Sequence, residues 1–125
     1  MLIEKVYDIA KKDLEGLYIK DVVIGISFLG VQLSNDNVAF TYLMRENLPS
    51  GCSIFPYGQE MIGMKAIDCA KWAITGAEDL QRGLGCAVLN AASKPLRSDE
   101  TIGNKDLMYE KINSSDTVGV IGHMP

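Results

Sequence analysis

The side chains in this sequence that could do chemistry are few, and Asn90 is the first of them. In DLQRGLGCAVLNAAS, Asp79 to Ser93, the residues Gly83, Cys86, Asn90 and Ser93 recur at helical spacing, a row of small residues broken by one amide. Small residues let another backbone come close, and the amide could orient a polar ligand across the gap. The plainer use of Asn90 is a hydrogen bond to backbone between packed elements, as is usual for amides near a core. Thr41 and Gln32 add a hydroxyl and a second amide, which matter for binding only if they converge on Asn90.

Near the C-terminus, GVIGHMP brings Gly119, Gly122 and His123 together after an apolar run. Glycines there would let a nucleoside or dinucleotide approach the backbone, although the spacing is not that of the GxGxxG fingerprint. His123, with an unperturbed pKa near neutrality, is a candidate general acid or base. Cys52, flanked by glycine and serine in PSGCSIF, is a candidate thiol nucleophile with no recognisable histidine partner. Trp72 and Tyr57 offer flat rings on which a pterin-like ring could stack, or simply pack.

Metal chemistry finds little support in the spacing. Zinc sites want about four Cys, His or carboxylate ligands at short intervals, whereas Cys52, Cys69 and Cys86 lie 17 residues apart and His123 is the only histidine. Glu46, Glu60, Asp68 and Glu78 read as solvated surface charges unless folding gathers them. No metal ligands are assigned and no cofactor is identified.

With 125 residues, 47% of them hydrophobic and 22% charged, the chain is long enough for one core and short for two domains. Its 12 basic residues are scattered against 16 acidic ones, a net charge of −4, which argues against nucleic acid as a partner. No run of 18 apolar residues exists to span a membrane, and MLIEKVYDIAKKDLEG lacks the apolar stretch of a signal peptide. Three cysteines without an export signal fit reduced thiols in the cytoplasm.

The elements that must position these groups follow from periodicity. Ile3, Val6, Ala10, Leu14 and Leu17 mark an amphipathic first helix stopped by Gly16. DVVIGISFLGVQL and VAFTYLM, separated by SNDN, read as two strands of a hairpin. A loop of four residues pairs Leu33 with Val38, Val31 with Phe40 and Leu29 with Tyr42 on one face, leaving Gln32, Gly30, Ala39 and Thr41 on a roomier one. RENLPSGCSIFPYGQE is loop, with a short strand near Ser53 to Phe55. A helix through Gly63, Ala66, Ile67, Ala70, Ile74 and Ala77, closed by Gly76, leads to one N-capped by Asp79, with Leu80, Leu84, Ala87 and Ala91 as its core stripe. PLRSDETIGN is a linker, KDLMYEKI a short helix, and Thr117 to Ile121 a buried strand before a glycine turn, the opening of a βα unit.

Three stretches, VVIGISFLGVQLSNDNVAFTY, WAITGAEDLQRGLGCAVLNAAS with its core at Val88 to Ala91, and DTVGVIGHMP, carry a resemblance to the N-terminal part of the putative heavy-metal chelation family. The resemblance implies an α+β fold: an enolase N-terminal-like domain of helix, antiparallel hairpin and helix pair over residues 1–94, then a linker with a short helix over 95–116. Residues 117–125 would then begin a Rossmann-like domain of which the chain holds only the first strand. It further implies a pocket between the two domains for a flavin-, pterin- or siderophore-like, or metal-chelating, molecule that is hydrolysed or condensed. The ligand-binding residues expected there are Asn90, Thr41, Gly122 and His123. A non-catalytic binding module for a small molecule or metal chelate, and a fragment that self-assembles as a homo-oligomer, are the alternatives.

Overall fold

A computed structural model describes residues 1–43, 60–93, 113–117 and 119. Contacts divide the chain into two units, Met1–Lys94 and Pro95–Pro125. In the second, the Asn113 N–H donates to Asp116 Oδ2 and the Asp116 N–H to the Asn113 carbonyl, closing a turn. The segment read as a strand over Ser53 to Phe55 and the helix KDLMYEKI lie outside the described residues, as does all of Thr117 to Ile121 except Thr117 and Gly119.

In the first unit the elements run α1 (Leu2–Leu14), β1 (Ile19–Ile24), β2 (Phe28–Leu33), β3 (Val38–Tyr42), α2 (Ala66–Thr75) and α3 (Asp79–Ala92). The fold is α+β: a three-stranded antiparallel sheet in the order β1-β2-β3, packed on helices. Helix α1 turns Ile3, Tyr7, Ala10 and Leu14 to the core, while Val6 stays outside, and Gly16 ends the turn with a positive φ of 77°. The core stripe therefore passes through Tyr7, one residue on from the Val6 that periodicity selected.

The apolar run read as one strand is two. Gly25, Ile26 and Ser27 break it, with the Gly25 N–H donating to the Phe28 carbonyl, and Val22 faces Val31 across the new hairpin. Uniform β-branched character hid the turn, since Ile26 is as apolar as its neighbours and is exposed. The second hairpin also departs from expectation. Its loop holds three residues, because the Asp36 N–H reaches the Leu33 carbonyl and Asp36 itself takes a left-handed φ of 67°, after which the Leu33 N–H meets the Asn37 carbonyl. This is the type I turn plus left-handed residue of three-residue hairpins.

One residue fewer in the loop moves the register by one: Leu29 pairs with Thr41, Gly30 with Phe40 and Val31 with Ala39. Every β3 side chain changes face. Ala39 and Thr41 now join Leu29, Val31 and Leu33 beneath the helices, while Val38, Phe40 and Tyr42 point outward, the last two each 64% exposed. Small inward residues let α3 lie close on β3. On the open face the Phe40 ring covers Gly30, where a Cβ would sit 3.0 Å from its Cε1, and Phe28 meets Tyr42 edge to face at 6.0 Å.

Helices α2 and α3 form the other layer. Ala66, Cys69, Ala70 and Ala73 are buried on α2, and Leu80, Leu84, Ala87, Val88 and Ala91 on α3, so the core stripe expected on α3 is present. On α2 the buried face is turned from the one expected: Cys69 and Ala73 lie inside, Ile67 and Ile74 are half-buried, and Gly63 precedes the helix. Gly76 does close α2, its N–H donating to the Trp72 carbonyl. Glu78, not Asp79, occupies the N-cap position of α3, and Asp79 pairs with Arg82 inside the first turn. The two helices approach closely at Gly85, where a Cβ would lie 2.2 Å from the Ala73 nitrogen.

Candidate functional site

The structure separates the hairpin polars and joins two of the expected site residues indirectly. Gln32 lies on the outer side of the sheet and donates to Asp36 Oδ1, so it and Thr41 occupy opposite faces, against the shared roomy face read from the sequence. Asn90 is exposed at the end of α3 and its Nδ2 donates to the Phe40 carbonyl at 3.3 Å. That carbonyl belongs to a non-hydrogen-bonded pair with Gly30, in the alternation set by the Leu33–Asn37 bond, and so points off the free edge of β3. A reciprocal bond runs from Asn37 Nδ2 to the Ala91 carbonyl at 3.0 Å. Two amides thus strap the C-terminal end of α3 to β3, the plainer use of Asn90.

Thr41, next to the strapped carbonyl, carries the one buried side-chain oxygen without a hydrogen-bond partner among the described residues. An unpaired buried hydroxyl costs about 1–3 kcal/mol. Gly122, His123, Cys52 and Tyr57 lie outside the described residues. Cys69 and Cys86 are free thiols; burial pushes Cys69 up to about 12 and raises Cys86 as well, so both hold their protons at neutral pH. Among the described residues no three His, Cys, Asp or Glu side chains gather around a point where a metal could sit, and no helix is long and apolar enough to cross a membrane.

Trp72 is differently placed. It lines a cleft of about 320 Å³ together with Glu60, Met61, Met64 and Gln81, so three parts of the chain converge there. The segment Met61–Met64 is a turn closed by the Met64 N–H to the Met61 carbonyl at 2.9 Å, with Gly63 at φ 86°. Positive φ at the third position makes it a type II turn, which wants glycine there. The turn is sewn to the start of β1: the Gly63 N–H donates to the Ile19 carbonyl, the Ile19 N–H to the Met64 carbonyl, and the Ala66 N–H to the Leu17 carbonyl. Gln81, from the first turn of α3, lines the cleft and spends its side-chain oxygen on the Ala77 N–H at 2.9 Å, which fixes the α2–α3 connection.

Among the described residues the cleft is thus lined by two methionines and an indole with two polar residues, Glu60 and Gln81, a makeup that suits a small molecule. Sequence reasoning singled out Trp72 as a stacking ring but missed its neighbours. The available signal was MIGM, two thioethers flanking an Ile-Gly pair that suits the centre of a type II turn.

A family profile described as "Putative heavy-metal chelation" (DUF4213) matches residues 7–93. Among solved structures, the crystal structure of a protein of unknown function from the DUF364 family of Desulfitobacterium hafniense superposes with a TM-score of 0.51. The two are 14% identical over 70% of this chain and 35% of that one, so this chain spans about a third of that protein's length. At that identity the likeness speaks for the fold alone. No curated protein matches the sequence.

Proposed function

This chain belongs to the putative heavy-metal chelation family, matched over residues 7–93, and from that premise we propose that it binds a small flat or metal-chelating molecule, flavin-, pterin- or siderophore-like, in the Trp72 cleft. The finer architecture proposed with it is an enolase N-terminal-like unit leading into a Rossmann-like one. The observation that carries the binding reading is the convergence of Trp72, Met61 and Met64 on a cleft whose backbone is pinned to β1. Flat heteroaromatic rings stack on indole and slide along thioethers, which adapt to irregular shapes. Gln81 and Glu60 supply the polar contacts that would orient such a ring. The reading is one of binding: neither described thiol is poised as a nucleophile, since burial keeps both protonated.

Trp72 is the only tryptophan in the chain, so its emission reports on the cleft directly. Titration with lumazine, riboflavin or a catechol chelator should quench that emission to saturation, and Trp72→Leu should weaken the affinity measured by calorimetry about tenfold, the loss of one stacked ring. No quenching and no heat at millimolar ligand would sink the proposal.

A second reading is favoured by one observation, the unpartnered Thr41 hydroxyl beside the Asn90 strap. Here a polar ligand group would complete the hydrogen bonding of Thr41 at the β3 edge. Loss of ligand affinity in Thr41→Val with Trp72→Leu unaffected would move the site there.

A further inference from the structure

We propose that Met61 and Met64, with the indole of Trp72 in the same cleft, form a site for a soft monovalent cation of the Cu(I) or Ag(I) class. The proposal rests on the reading of this cleft as a binding site and names a ligand for it. Thioether sulfur is a neutral, soft donor that selects such ions over Mg(II), Ca(II) or Zn(II), whose preferred oxygen, imidazole or thiolate ligands it does not replace. A methionine pair is more often only core filling. The arrangement differs from filling in three ways.

First, the two sulfurs are carried at the first and last positions of one β-turn, which holds their Cα atoms within about 7 Å, and both side chains line the cleft. Met61 is 1% exposed, so its side chain is withdrawn from bulk water, and the residue lines the cleft. Second, the turn cannot relax freely: its backbone is tied to Ile19 through the Gly63 N–H and the Met64 carbonyl, and the Ala66 N–H ties the following residue to Leu17. With the backbone held in place before the ion arrives, only the methionine side chains remain to be ordered on binding. Third, the remaining lining suits a cation. An indole face attracts a desolvated positive charge, and Glu60 lines the same cleft with a negative charge that would offset it. No proton has to leave for a thioether to bind, in contrast to the thiols of Cys69, which is buried, and Cys86, which is half-buried.

The test uses the full chain carrying Cys52→Ser and Cys86→Ser, titrated with silver nitrate in chloride-free buffer at pH 6 while Trp72 emission is followed. Quenching should saturate near one equivalent, zinc and magnesium should leave the emission unchanged, and Met64→Leu should weaken the silver response at least tenfold while Ile62→Leu does not. Equal response in Met64→Leu, an equal response to zinc, or no response to silver would overturn the site. Should Met64→Leu fail to fold, the methionine methyl spectrum of the Cys-substituted chain decides: silver should move the methyl signals of Met61 and Met64 and leave the other four methionines in place. Movement of the others instead, or of none, would equally overturn it. Titrating the ring ligands alongside keeps the two readings apart, because ring binding that survives the loss of silver binding defeats this inference only, whereas failure of both defeats the cleft.

Discussion

Asn90 and Thr41 sit at neighbouring points of the α3–β3 seam and have opposite hydrogen-bonding states. The amide is exposed and engaged with the Phe40 carbonyl; the hydroxyl is buried and unengaged. Asn90 was legible as an amide that reaches across a gap, because its row of small neighbours is visible in the sequence. What it reaches was not legible, since Phe40 lies 50 residues away. The difference between the two predicts a difference in mutants. Thr41→Val keeps the shape and removes the unpaired oxygen, so urea unfolding should show the chain more stable by about 1 kcal/mol. A loss of stability in Thr41→Val would mean that the hydroxyl is paired in solution.

At the scale of elements, glycine spacing misled in one place and informed in another. The small row on α3 suggested that a backbone approaches at Gly83, yet a Cβ there would meet only the side chain of Leu29, at 2.8 Å from Cδ1. The backbone contact is at Gly85, buried on the opposite side of α3 against Ala73 of α2. A single sequence does not say which of two glycines two positions apart faces the other helix, because both are small and both fit the helical period. We expect Gly85→Ala to cost at least about 2 kcal/mol, as α2 and α3 are forced apart. Gly83→Ala should be close to neutral, its steric cost offset by the roughly 1 kcal/mol that alanine gains over glycine in a helix. Thermal melts of the pair measure this; equal losses would show that α2 and α3 do not approach at Gly85.

Over the whole described unit the core contains no buried polar or charged residue, so its one large pH response comes from a thiol. Burial raises Cys69 from its ordinary value of 9.0 to about 12. In the unfolded chain the same thiol loses its proton near its ordinary value, so between these limits the unfolded state binds fewer protons than the folded one. Stability is then full below about pH 9 and falls as the pH rises toward 12. Urea unfolding of wild type and Cys69→Ala across pH 7–11 should give curves whose difference is flat up to about pH 8.5 and then slopes against the wild type. A difference that stays flat throughout would show that Cys69 is accessible to water.

The sequence by itself determined the existence of α1, α2 and α3, the strand-rich segment between α1 and α2, the core stripe of α3 and the stop signals at Gly16 and Gly76, because each follows from local periodicity or from one residue's backbone preference. It also carried the family resemblance that the match over residues 7–93 bears out. Only the tertiary structure decided the β3 register, where a left-handed Asp36 shortened the loop by one residue and turned Phe40 and Tyr42 away from the core. It alone brought Met61, Met64, Trp72 and Gln81 to one cleft, with backbone bonds tying the 61–64 turn to Ile19, far away in the chain. Hydrophobic pattern records which residues prefer burial, not how many residues a turn will use or which distant strand will hold it.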